Sequence, residues 1–327
     1  MTVTVLGSAN LDLVYRVEKI PAPGETVLAT GFAQHPGGKG NNQVIAVARA
    51  GATVTFVAAL GADAAASTLT DQLHTDGVTT LIRTVDAPTG TALITVDDGA
   101  ENSIVVNSGA NALLVDLDER EKRAIRDADV LLLQLETPVA TVQRAAQIAR
   151  DAGTTVVLNA APILDLPSAV LEALDILIVN EHEAAALARF ADIDVASTGA
   201  TSGDTPDEDA SLQSYRGLAS ALTALVPVVV VTIGAAGVVF AQRGSEDIRH
   251  VPGRRVTAID TTGAGDTFCG AFVAALDDDT AAAPSTPLDA DALERAALFA
   301  TAAAALSVQR SGAVPSIPNR QEIDDAV

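Results

Sequence analysis

The chain has 327 residues, 48% of them hydrophobic, and a formal net charge of −22 at pH 7. This size and composition predict a globular protein with one large domain, or a large domain with a small appendage. The negative charge would repel nucleic acid over most of the surface, and Lys19, Lys39 and Lys122 are the only lysines. We therefore expect no nucleic-acid partner, and any phosphate site must be built from backbone amides and a few cations.

Targeting and redox features are sparse. The single cysteine, Cys269, excludes an intramolecular disulfide and a multi-cysteine metal cage. The N-terminal residues lack a basic segment and meet Asp12 early, so export is not indicated. The most apolar stretch, residues 228–241, is too short and too interrupted by glycine to span a bilayer. We expect a cytoplasmic protein without a membrane partner.

Short apolar runs with almost no alternation recur along the chain, and such runs are typical of strands buried on both faces. They cover residues 3–8, 54–60, 130–135, 155–160, 176–180 and 228–233. Helical patterns cover residues 41–50, 65–75, 139–152, 181–190 and 211–225. The alternation predicts an α/β fold with a Rossmann-like, doubly wound central sheet flanked by helices. Ligands of such sheets bind beyond the carboxyl ends of the strands.

Two stretches depart from this pattern. Residues 11–32 and 90–107 alternate with a period of two and contain turn signals, which indicates a small sheet with one solvated face. This sheet is either a lid over a cleft or a decorated edge. The expected main domain then comprises residues 1–10, 33–89 and 108–327. The polar segments 193–209 and 276–293 are expected to be surface loops.

The stretch Asp260 to Phe272 reads DTTGAGDTFCGAF and places Asp266 directly after a Gly-Ala-Gly turn. The apolar residues that follow predict a buried helix, whose N-terminal amides and dipole form an anion site. Gly263 and Gly265 let the backbone approach a phosphate closely. Because Asp266 would repel phosphate, we interpret it as a general base that accepts a proton from an attacking hydroxyl. A helix-capping acid is equally consistent with this motif alone.

Other polar motifs are weaker. The glycine-rich segment 36–42 is either a turn before a helix or a close approach to a small polar ligand, with Lys39 and Asn42 as donors. Asn10 and Asp12 suit the vicinal hydroxyls of a sugar, although an Asx turn is locally favoured. Glu136 and the segment Asn180–Glu183 follow buried strands, where α/β enzymes hold their reactive groups. No histidine spacing indicates a transition-metal site, whereas carboxylates and waters would suit Mg²⁺.

Together these motifs resemble the ribokinase branch of the PfkB carbohydrate kinase family over nearly the whole chain. The most specific strings are DTTGAGDTF (260–268) and GGKGNN (37–42); VLGSANLD, LQLETP, LNAAP, VNEHE, VTIGAAG and RSGAVPSIP support them. The resemblance implies a β-sheet lid, ATP as phosphoryl donor, Mg²⁺ as cofactor, activation by K⁺ and a homodimer formed through the lid. The chain departs from the family in a longer 193–209 segment and in Ala160, where relatives often have proline.

The resemblance also implies roles for individual residues. The general base is Asp266, and the anion hole is formed by the amides of Gly263, Ala264 and Gly265. The sugar site comprises Asn10, Asp12, Gly38, Lys39, Asn42, Glu136 and Asp266. The nucleotide and magnesium positions are Asn180, Glu183, Thr232, Gly234, Gly237 and Gly265. The potassium positions are Asp260, Thr262, Ser307, Arg310, Gly312 and Ser316.

From the resemblance we expect ATP-dependent phosphorylation of D-ribose at the 5-hydroxyl. With only 3% aromatic residues, the chain offers few faces on which a nucleoside kinase such as adenosine kinase would stack a base. A phosphosugar kinase would need cations near the acceptor, and there the chain offers chiefly Lys39. We expect ribose as the acceptor, rather than fructose or deoxyribose, only because of the overall likeness of the chain to the ribokinase branch. A missing G-x-G-x-x-G disfavours an NAD-dependent oxidoreductase, and the retained Asp266 disfavours a catalytically silent sugar-binding regulator.

Overall fold

A nine-stranded sheet forms the centre of the computed structural model, which describes residues 1–99, 101–193, 208–276 and 288–327. In chain order the strands are β1 (Thr2–Leu6), β2 (Asn10–Arg16), β3 (Gly31–Gly37), β4 (Thr53–Leu60), β5 (Thr79–Thr84), β6 (Gly90–Val96), β7 (Asn102–Asn107), β8 (Val130–Leu133), β9 (Thr155–Asn159), β10 (Ile176–Asn180), β11 (Val228–Thr232), β12 (Gly237–Gln242) and β13 (Arg249–Pro252). The order across the large sheet is β13-β12-β11-β10-β9-β8-β1-β4-β5. Neighbouring strands are parallel from β11 to β5, and β12 and β13 add antiparallel pairs at one edge.

Helices cover both faces of this sheet. They are α1 (Lys39–Arg49), α2 (Ala64–Thr75), α3 (Glu119–Arg126), α4 (Val139–Ala152), α5 (Ser168–Leu171), α6 (Glu181–Phe190), α7 (Glu208–Leu222), α8 (Ala264–Ala274), α9 (Ala290–Ser307), α10 (Ala313–Ser316) and α11 (Arg320–Asp324). One hydrophobic core packs α1, α8 and α9 against the sheet, and a second packs α4, α6 and α7 against the opposite face. The absence of polar alternation in the central strands follows from this double burial.

A second sheet has the order β3-β2-β6-β7. Strands β2 and β6 are parallel, whereas the pairs β2–β3 and β6–β7 are antiparallel. Its strand β7 is exposed along its whole length, and Ile104, Val105 and Val106 are between 49% and 64% accessible. Strand β3 continues to Gly37, five residues beyond the expected segment 11–32, because β2 offers a pairing partner as far as Asn10.

The six predicted buried strands and five predicted helices all occur, with ends shifted by at most three residues. The predicted α/β class with a central sheet and a small separate sheet is confirmed. Most of the expected 193–209 loop, and residues 277–287 of the expected 276–293 loop, lie outside the described residues. The second prediction is wrong at its C-terminal end, because helix α9 begins at Ala290, where the Asp289 carboxylate accepts a hydrogen bond from the Asp291 amide. Among the described helices, none is long and apolar enough to cross a membrane.

Candidate active site

Polar side chains collect at the carboxyl edge of the large sheet. Ser8 follows β1, Glu136 follows β8, and β9, β10 and β11 end at Asn159, Asn180 and Thr232. Because these strands are parallel, their carboxyl ends meet at one edge. The sequence motifs that follow separate strands are therefore brought into one neighbourhood.

The glycine turn before α8 has the geometry of an anion site. Gly263 occupies the N-cap position in the left-handed region (φ 75°), which favours glycine. The Ala264 amide donates to the Thr261 carbonyl at 3.2 Å, whereas the Gly265 amide donates to no acceptor in the part of the chain that the structure describes. A Cβ at Gly265 would meet no atom within 4 Å. The Gly263 amide likewise has no acceptor among the described residues, so both glycine amides are available at the positive end of the helix dipole, and Gly265 is the exposed residue of the two.

Asp266 lies in the first turn of α8 and is buried, with 8% of its surface accessible. Its carboxylate accepts hydrogen bonds from two side-chain amides of α1. Asn42 Nδ2 donates to Oδ2 at 3.0 Å, and Gln43 Nε2 donates to Oδ1 at 2.9 Å. Because Gly263 is the N-cap residue, the helix-capping interpretation of Asp266 is wrong. The carboxylate is instead held by another helix.

The start of α1 brings a second carboxylate into the site. Glu136 Oε2 accepts hydrogen bonds from the Ser8 hydroxyl at 2.5 Å and from the Lys39 backbone amide at 3.0 Å. Gly38 caps the helix with a φ of 87°, and a Cβ there would lie 2.8 Å from the backbone nitrogen of Asn10. The glycine-rich segment thus provides the predicted N-cap of α1, and its glycine lets α1 approach the backbone of β2 closely.

Asn10 and Asp12 lie in β2, so the Asx-turn interpretation is wrong. Two residues apart in a strand, they project from the same face of the small sheet. A Cβ at Gly37 would overlap the Asp12 carboxylate, so this glycine makes room for the acid. Burial, and then the negative charges of Glu136 and Asp266, raise the pKa of Asp12 to about 7.

Lys39 supplies positive charge among these acids. Burial opposes its charge, but the surrounding carboxylates outweigh burial and hold the pKa of the Lys39 ammonium above its ordinary value. These carboxylates are Asp266, Glu136 and Glu183. Lys39 therefore stays protonated and offsets part of the negative charge that the site concentrates.

At the nucleotide positions, Asn180 and Glu183 form a reciprocal capping box at the start of α6. Asn180 Oδ1 accepts from the Glu183 amide at 2.8 Å, and Glu183 Oε2 accepts from the Asn180 amide at 2.9 Å. Burial raises the pKa of Glu183, and the charge of Lys39 partly offsets this. Thr232 pairs with Asn180 across β10 and β11, which places both residues at the same height in the sheet.

Two further glycines follow Thr232. Gly234 has a φ of 56°, is exposed, and a Cβ there would meet nothing within 4 Å. Gly237 has a φ of 101°, and a Cβ there would overlap the carbonyl oxygen of Val251. Gly234 therefore presents open backbone, whereas Gly237 is required by the packing of β12 against β13.

Of the predicted potassium positions, Thr262 and Gly312 contact Asp260. The Thr262 amide donates to Asp260 Oδ1 at 2.9 Å, and the Gly312 amide donates to Oδ2 at 2.8 Å. Although burial opposes ionisation, these hydrogen bonds hold the pKa of Asp260 below its usual range. Ser307 and Ser316 are buried, and their hydroxyls donate to backbone carbonyls one turn earlier. The Arg310 side chain is paired with Glu322 at 2.5 Å, so only its backbone carbonyl is left to bind a cation.

The sequence analysis did not single out four buried amides of the site. They are Gln43, Asn111, Gln134 and Asn159. Asn111 Nδ2 donates to Asn10 Oδ1 at 2.7 Å, and the Ala9 amide donates to Asn111 Oδ1 at 3.0 Å. For Gln43 and Gln134 a signal existed, because an amide side chain next to a glycine-rich turn, or at the end of an apolar strand, is polar where burial is expected.

The chain is similar to known proteins over nearly its whole length. The pfkB family carbohydrate kinase domain matches residues 2–320. The ribokinase of Haemophilus influenzae is 40% identical over 326 residues, which cover 98% of this chain and 96% of that protein. The ribokinase of Staphylococcus aureus is 36% identical, with 98% of each chain covered. The structure of Arabidopsis thaliana ribokinase complexed with ribose and ATP is 30% identical, covers 99% of this chain and 97% of that chain, and superposes with a TM-score of 0.82. The chain therefore belongs to the pfkB family of carbohydrate kinases.

Proposed function

We propose that this chain transfers the γ-phosphoryl group of ATP to the 5-hydroxyl of D-ribose. The observation that carries the proposal is the Asp266 carboxylate, held by Asn42 and Gln43 at the open N-terminus of α8 and close to the Asp12 carboxylate. The similarity to ribokinases, including one whose structure holds ribose and ATP, supports the choice of acceptor and donor.

In this proposal Asp266 is the general base. It accepts the proton of the 5-hydroxyl as the oxygen attacks the γ-phosphorus, and the bond from that phosphorus to the ADP oxygen breaks. The Gly265 amide, with those of Gly263 and Ala264, stabilises charge on the transferred phosphoryl oxygens. Ala264 contributes only if its hydrogen bond to Thr261 weakens on binding.

The sugar side of the site is the set Asn10, Asp12, Gly38, Lys39, Asn42, Glu136 and Asp266. Carboxylates accept hydrogen bonds from hydroxyls, and amide and ammonium groups donate to them, so the set can satisfy both roles of a polyhydroxylated ligand. The fixed position of Asp12 against Gly37 restricts where the vicinal hydroxyls can bind.

The nucleotide side is the set Asn180, Glu183, Thr232, Gly234, Gly237 and Gly265. Its exposed glycine backbone fits phosphate and ribosyl groups that need close approach. Asn180 and Glu183 fit Mg²⁺, which is usually held by few protein groups together with waters and substrate phosphates. Bound there, Mg²⁺ would supply electrostatic stabilisation of the phosphate oxygens. Within the described residues there is no cluster of three or more His, Cys, Asp or Glu side chains that would hold a metal by itself.

A potassium site is proposed at Asp260, Thr262, Ser307, Arg310, Gly312 and Ser316. The pKa of Asp260, directly before the anion turn, is lowered, and its backbone amide donates to the Val308 carbonyl. A cation there would stabilise the turn that carries Gly263, which links the proposed activation to the anion site.

The small sheet is proposed to be a lid and the surface of a homodimer. Its exposed apolar side chains, among them Phe32 and Val105, are 55% and 64% accessible in the isolated chain, and a second copy would bury them. A cytoplasmic setting is supported by the single free cysteine, Cys269.

The test is an ATP-consumption assay with Mg²⁺ and K⁺ against D-ribose, 2-deoxyribose, D-fructose, adenosine and fructose 6-phosphate. We expect D-ribose to have the highest kcat/KM. Preference for fructose, deoxyribose or adenosine would keep the mechanism and change the substrate. Absence of turnover with every acceptor, together with measurable ribose binding, would favour a silent sugar-binding regulator and reject the proposal.

A further inference from the structure

A chain of hydrogen bonds runs through buried amide side chains and ends at the Asp266 carboxylate. Gln134, after β8, donates through Nε2 to Gln43 Oε1 at 2.7 Å. Gln43, on α1, donates through Nε2 to Asp266 Oδ1 at 2.9 Å and to Asn159 Oδ1 at 3.0 Å. Gln43 and Gln134 have no accessible surface, so neither can touch a substrate in this conformation.

The chemistry of the partners fixes the direction of the Gln43 amide. Its oxygen faces the donor of Gln134, and its nitrogen faces two acceptor oxygens. The reversed amide would set its oxygen against the Asp266 carboxylate and leave a donor opposite a donor. The Asp266 carboxylate, which can only accept, therefore determines which end of Gln43 meets it, and Gln134 supplies the donor for the other end.

Packing keeps both amides in place. A Cβ at Gly7 would overlap Oε1 of Gln134, so this side chain lies directly against the backbone after β1. A Cβ at Gly270 would lie 2.6 Å from the backbone oxygen of Gln43 and 2.5 Å from the Cβ of Ala46. Helices α1 and α8 thus approach closely at Gly270, and this contact brings Gln43 within hydrogen-bonding distance of Asp266.

We infer that Gln43, held at its other end by a hydrogen bond from Gln134, is a positioning residue that fixes the rotation of the Asp266 carboxylate for proton transfer. This inference rests on the proposed function, in which Asp266 is the base. Without the Gln43 amide, Asn42 is the one side-chain donor that Asp266 keeps among the described residues, and the carboxylate can rotate about that bond. A base that rotates spends less time aligned with the hydroxyl, so kcat falls while substrate affinity is retained.

The experiment compares Q43M, Q134M, the double variant and wild type. Methionine keeps the length of glutamine and removes the amide. We expect Q43M to lower kcat by about 10- to 100-fold, with KM for sugar and ATP changed less than about twofold. Q134M is expected to lower kcat less. The double variant is expected to match Q43M, because Gln134 acts only through Gln43.

Q147M is the matched control. Gln147 donates to the Asp151 carboxylate at 2.7 Å on the surface of α4, so the same kind of bond is lost away from the site. Wild-type kcat in Q43M, a change confined to KM, or independent multiplicative losses in the double variant would each overturn the inference. If Q43M does not fold, the inference is tested by the same criteria in Q134M and in Q43N, whose side chain is one methylene shorter.

A structural readout separates this inference from the proposed function. In a crystal structure of Q43M the Asp266 carboxylate is expected to rotate away from its wild-type position. An unchanged carboxylate overturns the inference even if wild type phosphorylates ribose. A wild type that turns over no acceptor overturns the proposed function, while the rotation of the carboxylate still tests whether Gln43 positions it.

Discussion

On the sugar side of the proposed site, acids are buried and braced by distant parts of the chain. On the nucleotide side, exposed glycines present open backbone. A Cβ at Gly37 would overlap Asp12, and one at Gly38 would lie 2.8 Å from Asn10, whereas one at Gly234 or Gly265 would meet nothing within 4 Å. In the proposed function this difference means that fixed side chains would select the acceptor, whereas the donor would meet backbone at Gly234 and Gly265 that any nucleoside triphosphate could approach.

The largest expected effect comes from the base itself. Asp266→Asn should lower kcat by about 10²- to 10⁴-fold, because the amide cannot accept the hydroxyl proton. A coupled ADP assay and ribose binding by calorimetry measure the effect, and binding should survive. Asp175→Asn is the control, since Asp175 is also mostly buried but accepts its hydrogen bond from Val156, away from the site. Retention of more than about a tenth of wild-type kcat in Asp266→Asn would reject the assignment of the base.

A pair of glycine variants compares the two sides directly. Gly37→Ala must displace the Asp12 carboxylate, so we expect the KM for the sugar to rise about tenfold and stability to fall by about 1–3 kcal/mol. Gly265→Ala adds a methyl group to open space at a position without a positive φ, so stability should change by less than about 0.5 kcal/mol. The methyl group would enter the space proposed for the phosphate, so we expect the KM for ATP to rise and kcat to fall, each by about three- to tenfold. Steady-state kinetics and thermal melts measure both variants. Equal losses of stability in the two variants would show that the nucleotide side is as tightly packed as the sugar side.

The pH dependence should isolate Asp12. Its pKa rises from 3.8 to about 7 on folding, so its contribution to stability is present below pH 4 and is lost as pH rises through about 7. The slope can approach about 1.4 kcal/mol per pH unit between these values. Sugar affinity should change in the opposite direction, because ionised Asp12 accepts hydrogen bonds from hydroxyls more strongly.

Melts and sugar titrations between pH 5 and 8.5 test this prediction. In Asp12→Asn, the contribution of Asp12 to the pH dependence of stability and of sugar affinity should disappear. The variant should be more stable than wild type at pH 8 in the absence of sugar. An unchanged stability slope in Asp12→Asn would show that other groups account for the pH dependence.

The smallest expected effect is on the capping box of α6. Asn180→Ala removes the acceptor of the Glu183 amide, which should cost about 1 kcal/mol of stability and shift Tm by a few degrees. The KM for ATP should rise by a small factor, because Glu183 loses a fixed neighbour. Asn319→Ala is the matched control, since Asn319 forms the same capping box with Glu322 on α11. A Tm shift without any change in KM for ATP would confine Asn180 to a structural role.

Much of the fold and part of the site could be predicted from the sequence, for different physical reasons. Buried parallel strands leave continuous apolar runs, and Asp266 lies in a short string where glycines and an acid must be adjacent. Asn111 is different, because its partner Asn10 is 101 residues away and nothing in its local sequence specifies it. At Gln134 the local sequence indicates a buried polar group, but it does not specify the partner, which is 91 residues away. The start of α9 was missed for a related reason, since its cap at Asp289 lies in a segment whose composition is typical of loops.

The hydrogen bond between Asn42 and Asp266 joins residues 224 positions apart. Contacts this distant in sequence close late, because loop-closure entropy must be overcome first. During synthesis at about 5–20 residues per second, the base would follow its partner out of the ribosome by roughly 10 to 45 s. Through that interval the growing chain contains Asn42, the amide on the sugar side, but still lacks Asp266, the proposed base. Enzymatic competence would then arise only after α8 has left the ribosome and met α1.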